Sequence, residues 1–455
     1  MTASTTNPLS LRRVLKTWWP LAASWLLMGT ELPALSIVIA RLANPEINLA
    51  AYGGVVFPLA LIIESPVIML LAASTALSKD WASYRKIRRF MLVIGGSLSV
   101  LHALVAFTPL YYVVVGRIIG APQEIIEPAR VGLMILTPWT GSIAYRRFNQ
   151  GVLIRFNHSL AVGLGTIVRL LADSIVLAIG FFAGTIPGVI VGASAVTAGV
   201  ISEAVFAGLI VRPVIRNELK PAPPVQDSLT LRGFLDFYIP LAMTSLLFLI
   251  VQPIGSAAIS RMPDALISLA VWPVVNGLLF MVRSLGVAYN EVVVALLDEP
   301  QSSRTLKQFN YLLAISSTAL LFLLAGTSLS EVWFGVISGL QPPLVKLAET
   351  GLWIGLIVPA LNVFQSWFQG AILHGKRTRG ITEAVVVYLV SSAAVLTFGV
   401  LWGKTTGLYV GLGAFVVSML TQTAWLWYRS RPVIEKVAAR DESQGRLSSA
   451  EALAD

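Results

Sequence analysis

Apolar runs of roughly twenty residues recur from one end of this chain to the other, each long enough to cross about 30 Å of hydrocarbon as a helix. In lipid every backbone polar group has to be satisfied within its own segment or in a closed barrel, and the period-two alternation of a barrel is absent. Charged residues make up 12% of the 455 positions and hydrophobic ones 56%, too few charges to solvate a soluble core of that size. The expected fold is an all-α membrane protein of about twelve transmembrane helices. Their spans are read near 17–42, 50–78, 89–115, 129–154, 158–184, 188–212, 233–260, 265–297, 307–334, 344–373, 380–402 and 405–428.

A net charge of +10 invites a nucleic-acid partner, but its distribution argues against one. With the N-terminus inside, 25 of the 33 Lys and Arg residues collect on the cytoplasmic side of these spans. That asymmetry is the positive-inside rule, and it predicts a multi-pass inner (plasma) membrane protein with both termini cytoplasmic. Arg12, Arg13 and Lys16 lead directly into the first apolar span with no small-residue cleavage site, which reads as a first helix rather than a removed signal peptide. The chain has no cysteine, hence no disulfide and no thiolate metal site. No cofactor is expected, and membrane lipid is the evident partner of a chain expected to be a monomer.

Four prolines in the polar segment 213–232 mark a cytoplasmic linker that divides the chain almost in half. The expected domains are a six-helix bundle over 1–212, the linker 213–232, a second six-helix bundle over 233–428, and a polar cytoplasmic tail over 429–455 with a short helix near 432–440. The halves repeat one another. A shift of 220 carries Pro20-Leu21-Ala22 onto Pro240-Leu241-Ala242, Pro33 onto Pro253, Ser36 onto Ser256, Arg41 onto Arg261, and Leu49-Ala50 onto Leu269-Ala270. A shift of 219 carries Gln150-Gly151 onto Gln369-Gly370. Six helices separate equivalent positions, so the halves have one orientation and a pseudo-twofold along the membrane normal.

Residues 18–77, with WWPLAASWLLMGTE, LAAYGG and ESPV, resemble the MATE-like exporters of the multidrug-oligosaccharide-polysaccharide superfamily. Together with QGVLIRFNHSLAVG at 150–163 they are most similar to its progressive ankylosis branch. The resemblance implies a V-shaped, alternating-access exporter, with pyrophosphate, nucleotide or citrate-like anions among its substrates. It also implies an ion-coupling acid in the first helix, a position that Glu31 occupies, although with Glu in place of the usual Asp and with Val251 at the equivalent point of the second half.

An ionisable side chain at membrane depth is costly unless it is paired or meets water, so each is a candidate. Glu31 lies two residues before Pro33, whose ring removes a backbone hydrogen bond and frees carbonyls beside the carboxylate. Glu31 is therefore a candidate proton or sodium site, or else a protonated packing group; Glu64, in Glu64-Ser65-Pro66, is a second of the same kind. Pro33 and Pro253 are the candidate hinges. Candidate substrate-binding residues are Arg283, Glu291, Arg169, Asp173, Glu203 and Arg146. Arg169 and Asp173 stand four apart on one helix face and can pair, either to fix the bundle or to exchange partners during a cycle. Arg283 offers a permanently charged, forked donor set for an anionic group, or for a nearby carboxylate. Glu291 lies two turns further on, broadly on the same side. Of Arg146 and Arg147, about 100° apart on one helix, one is expected to face the interior and the other the headgroups.

Other features read as structural. Arg41 and Arg261, at equivalent helix ends, are expected to snorkel to the interface. Trp18, Trp19, Trp425 and Trp427 fit the aromatic belt. Gly180, Gly184 and Gly188 have the spacing of close helix packing. His102, His158 and His374 are too scattered to make a metal motif, and Gly403-Lys404-Thr405 lacks the spacing of a phosphate-binding loop. The leading expectation is a secondary active exporter for a small anion or other metabolite, coupled to H+ or Na+, and not an enzyme. A lipid-linked saccharide flippase and a multidrug cation antiporter share this architecture. An intramembrane enzyme would need its catalytic groups clustered at one depth, and the candidates are scattered singly.

Overall fold

The computed structural model describes residues 9–225, 229–375 and 379–451, with side chains to Ser443. The described residues are helical throughout, without strands. Among the described residues, eleven helices are long and apolar enough to cross a membrane. In chain order the long elements are α1 (Leu11–Ile39), α2 (Pro45–Leu77), α3 (Trp81–Phe107), α4 (the stacked pair Gln123–Ile135 and Thr137–Arg155), α5 (Ser159–Ala183), α6 (Gly188–Leu219), α7 (Leu231–Ile259), α8 (Ala265–Leu296), α9 (Ser302–Gly326), α10 (Pro342–His374), α11 (Arg379–Trp402) and α12 (Gly407–Glu451). The expected span at 129–154 is α4, which carries Arg130, Arg146, Arg147 and Arg155 and is not among the eleven. Side chains such as Leu160, Phe182 and Leu401, each about four-fifths exposed, suit a hydrocarbon surround and not water.

Local sequence explains where the helices start and bend. Ser10 caps α1 by accepting from the Arg13 N–H, and Thr230 caps α7 by accepting from the Gly233 N–H at 3.1 Å. α1 breaks at Thr30 and α7 at Ile250, each three residues before its proline, Pro33 or Pro253. Proline cannot donate to the turn before it, so the break falls there. Asn44 and Asp264, both left-handed, start the second helix of each half. In α2, Tyr52–Val56 forms a π segment, whereas α8 runs as regular α-helix over its whole length.

Each half builds round a central helix. α4 packs on α2, α3 and α6, and α10 packs on α8, α9 and α12; α5 lies on α6 as α11 lies on α12. The halves meet where α1 packs on α8, α7 on α2, and α2 on α8. Without a hydrophobic force between helices in lipid, close approach of small residues carries the packing. A Cβ on Gly151 would lie 2.6 Å from the Leu71 carbonyl oxygen, and one on Gly370 2.7 Å from Val293. Across the halves, a Cβ on Gly53 would lie 2.5 Å from Pro273.

Several expectations are corrected. α6 continues through Pro213 and, as a π segment, to Leu219, so the connection between halves begins later than its prolines suggest. The tail is no short helix: α12 extends as one helix to Glu451 with Pro432 inside it. There Arg440 donates to the carbonyls of Leu297 and Glu299, at 3.0 and 3.1 Å, which anchors the extension. Of the three glycines read as packing positions, Gly180 meets Val191 and Gly188 meets Ile39, where a Cβ would lie 2.3 and 2.8 Å away, but Gly184 packs on nothing and is the left-handed cap of α5. Trp18 does not sit in an interfacial belt; it is buried and donates to the Leu285 carbonyl at 2.9 Å.

Candidate functional site

The first half gathers its membrane-depth charges into one network. Glu31, just past the break in α1, is bonded to Arg169 of α5. The Arg169 Nε also lies 4.0 Å from Asp173 Oδ2 on the same helix. Asp173 is buried, and both of its carboxylate oxygens lack a hydrogen-bond partner. A Cβ on Gly199 of α6 would lie 1.8 Å from Asp173 Oδ1, so only glycine leaves room for this carboxylate. One turn along α6 from Gly199, buried Glu203 is bonded to Arg146 and accepts from Gln150 Nε2 at 2.9 Å. Glu64 of α2 is buried with Oε2 unpartnered, and Arg146 and Arg147 act on it electrostatically.

Three arginines, Arg146, Arg147 and Arg169, thus face four acids, Glu31, Glu64, Asp173 and Glu203. One carboxylate is in surplus. In a low-dielectric interior an uncompensated charge is costly. Asp173 and Glu64 are the acids of this group whose buried oxygens lack a hydrogen-bond partner among the described residues. Glu31 is not sealed: its side chain is 15% exposed and that of Arg169 16%.

Arg147 was expected to leave with the headgroups if Arg146 faced inward, but both enter the interior. Arg147 has its Nε buried without a partner and feels the charges of Glu203 and Glu64. Tyr52, whose buried hydroxyl has no partner and which feels Glu31 and Asp173, is a further member that sequence reasoning missed. Its only signal was the LAAYGG run that became the π segment. Gln150 was visible as half of the repeated Gln-Gly pair, but not as a ligand of Glu203.

The second half is different. Arg283 of α8 lies between two rings, its guanidinium carbon 5.0 Å from the Phe280 centroid and 5.6 Å from that of Phe415 on α12. The Tyr388 phenol of α11 acts on it, and among the described residues no ion pair reaches it. Glu291 is not brought to it: Glu291 is exposed and accepts from the Trp25 indole N–H at 3.4 Å.

The π segment of α2 adds one residue relative to α8, which turns the repeat offset from 220 before it to 219 after it. The contacts follow that register. Ser65 donates to the Ile62 carbonyl at 2.8 Å, and Ser284 donates to that of Met281 at 2.7 Å. Tyr238 donates across the halves to Pro66, as Trp18 does to Leu285. In this register Glu64 and Arg283 are equivalent positions with opposite charge.

Arg41 and Arg261 do more than snorkel. Arg41 donates to the carbonyls of Val336 and Ile337, at 2.6 and 2.7 Å. Arg261 donates to those of Ile118 and Ile119, both at 2.6 Å. Each arginine caps the end of a short helix in the opposite half, where the helix dipole is negative and Gly339 or Gly120 turns the chain with positive φ. The histidines act singly: His102 lies between Thr140 Oγ1 and the Leu133 carbonyl, His158 faces Glu218, and His374 faces Asp298.

No protein-family model matches the chain, and no curated protein matches it. Solved structures do. An inward-facing multidrug resistance MATE family transporter of the MOP superfamily superposes with a TM-score of 0.68 at 16% identity, covering 92% of this chain and 98% of the other. The lipid II flippase MurJ in an inward closed conformation gives 0.58 at 14% identity, covering 91% and 90%. A MOP superfamily transporter from Pyrococcus furiosus Vc1, described as having a binding pocket of reversed polarity, gives 0.56 at 15%, covering 95% and 99%. These neighbours give no support to the finer resemblance to the progressive ankylosis branch. The chain has, over nearly its whole length, the fold of the MATE-type transporters of the MOP superfamily.

Proposed function

We propose that this protein is a secondary active transporter that works by alternating access and takes a proton or sodium ion on the charged network of its first half. The observation that carries the reading is the surplus carboxylate: four acids and three arginines share one buried network, with the oxygens of Asp173 unpartnered beside the Glu31–Arg169 pair. An ion that neutralises Asp173 or Glu31 loosens their hold on Arg169. It thereby favours one arrangement of α1 against α5, because only differential affinity shifts a population. The moving bodies are the two six-helix bundles, α1–α6 and α7–α12, with Pro33 and Pro253 as hinges. The positive-inside asymmetry supports an inner-membrane location with both termini cytoplasmic. Export is the direction favoured by the fold.

A flippase for a lipid-linked molecule is the second reading. It draws on a lipid-facing groove of about 550 Å³ between α9 and α10, lined by Tyr311, Ile315, Phe322 and Phe364 among others, that would hold acyl chains.

Transport by purified protein in liposomes under imposed proton and sodium gradients, with citrate, pyrophosphate, a nucleotide, an organic cation and a fluorescent lipid-linked saccharide as cargo, tests both readings. Glu31→Gln and Asp173→Asn are expected to fold normally and to lose gradient-driven accumulation. Full gradient-driven accumulation in both variants would overturn the ion-coupling assignment.

A further inference from the structure

We propose that the second half holds the substrate site, and that the site takes an organic molecule with one anionic group, a carboxylate or phosphate, attached to a flat apolar body. This rests on the transporter reading above and adds to it the class of cargo.

What surrounds each buried cation sets Arg283 apart from the others. Arg146 is bonded to Glu203, Arg169 to Glu31, and Arg147 feels Glu203 and Glu64. Arg283 has no such neighbour: no ion pair reaches it among the described residues, and the Tyr388 group acting on it is a phenol. The other charged groups on the helices around it are taken or remote. Glu383 of α11 is held by Arg379 and Arg429, each at 3.1 Å, and Glu291 by Trp25. A structural arginine at membrane depth would have its counter-ion inside the protein, as the three of the first half do.

The guanidinium is also shaped for capture. Phe280 and Phe415 attract its charge through their rings and restrict where it can swing. Its Nε is sealed without a hydrogen-bond partner, while its terminal nitrogens make no hydrogen bond and the residue keeps part of its surface accessible. The fork is therefore held in place with its donors unspent, which is the arrangement that receives a carboxylate or phosphate in bidentate fashion.

Two observations set the class of ligand. Arg283 is a single cation without a second one beside it, so it balances one anionic group and leaves a citrate-like or pyrophosphate-like ligand with uncompensated charge. The walls next to the fork are rings, Phe280, Phe415 and Tyr388, which favour a flat apolar body over a hydrated one. Glu64 at the equivalent position of the first half has the opposite charge. The same point of the repeated scaffold thus carries an acid of the charged network in one half and the anion's partner in the other.

Equilibrium binding to the purified full chain in detergent, without any gradient, tests this apart from transport. The probes are 2-naphthoate, its neutral amide 2-naphthamide, phenyl phosphate and citrate. The expected result is saturable binding of naphthoate and phenyl phosphate, at least tenfold weaker binding of citrate, and none of naphthamide. Arg283→Gln should abolish anion binding; Arg283→Lys should retain part of it; Phe415→Leu, which leaves the charge in place, should weaken naphthoate more than phenyl phosphate. Equal binding of naphthoate and naphthamide, tighter binding of citrate, binding unchanged by Arg283→Gln, or no binding of any anion probe would overturn the proposal. Arg283-dependent binding with no gradient-driven uptake would refute the transporter reading and leave this site standing. Coupled uptake of cations alone would do the reverse.

Discussion

Arg146, Glu203 and Gln150 form a deeply buried charged contact in the first half, and what they do to stability follows from charge. Removing one partner strands the other in a medium that cannot solvate it. Glu203→Ala is therefore expected to cost about 3–5 kcal/mol, read as a lowered melting temperature in detergent, with Glu203→Gln costing clearly less because it still meets Arg146 and Gln150. At the membrane edge, Asp80 caps α3 by accepting from the Ser83 N–H at 2.9 Å, and hydrogen bonding, first from the Ser83 side chain and then from the Ser83 and Val225 backbone, holds its carboxyl below the usual range. A carboxyl with a lowered pKa in the folded state contributes stability above its unfolded value, near 3.9, and loses it as pH falls through the folded value. Asp80→Ala should lower stability by about 1 kcal/mol at neutral pH, and the gap to the wild type should narrow as pH falls below the unfolded value. The membrane-depth charges were legible in the sequence because each interrupts an apolar run. Their partners were not: Arg169 shares a face with Asp173, yet its close bond is to Glu31, 138 residues away. Which helices adjoin is decided by packing, and no spacing along one helix reports it.

The helices repeat one design with one inserted residue. Prolines mark the breaks at Thr30 and Ile250, and these were readable because proline acts on its own helix. The change of offset from 220 to 219 was readable too, but not its cause, since a π segment has no residue signature of its own; only the structure locates it at Tyr52–Val56. Pro33→Ala restores a donor to the turn at the break. It should stiffen α1 and slow turnover by about tenfold while the melting temperature holds or rises, measured as the initial rate of uptake in liposomes at equal protein density. Gly53 lies on the seam between α2 and α8. Gly53→Val would drive a side chain into Pro273 and should cost about 1–3 kcal/mol, seen as a lowered melting temperature, whereas Gly96, with open space around it, should accept alanine without loss.

The whole molecule is two copies of one arrangement clasped at matching points: Arg41 on the carbonyls of Val336 and Ile337, and Arg261 on those of Ile118 and Ile119. The sequence presented both arginines as interfacial, because a helix end rich in backbone carbonyls from the other half looks the same in sequence as a headgroup layer. Under the alternating access proposed above, rocking of the halves has to open this clasp. Arg41→Ala with Arg261→Ala should shift the resting population toward the state open at that end. A chain without cysteine makes the test direct, since any cysteine introduced is the only one to take a label. One pair of spin labels, at exposed Ile118 and Val336, reports the clasped end; a second, at exposed Arg155 and Leu373, reports the opposite end. Interlabel distances are measured in lipid as pH and sodium are varied, and again in the double-alanine background. Opposed changes, one end widening as the other narrows, are the predicted result; distances at both ends that stay fixed under every condition would contradict alternating access.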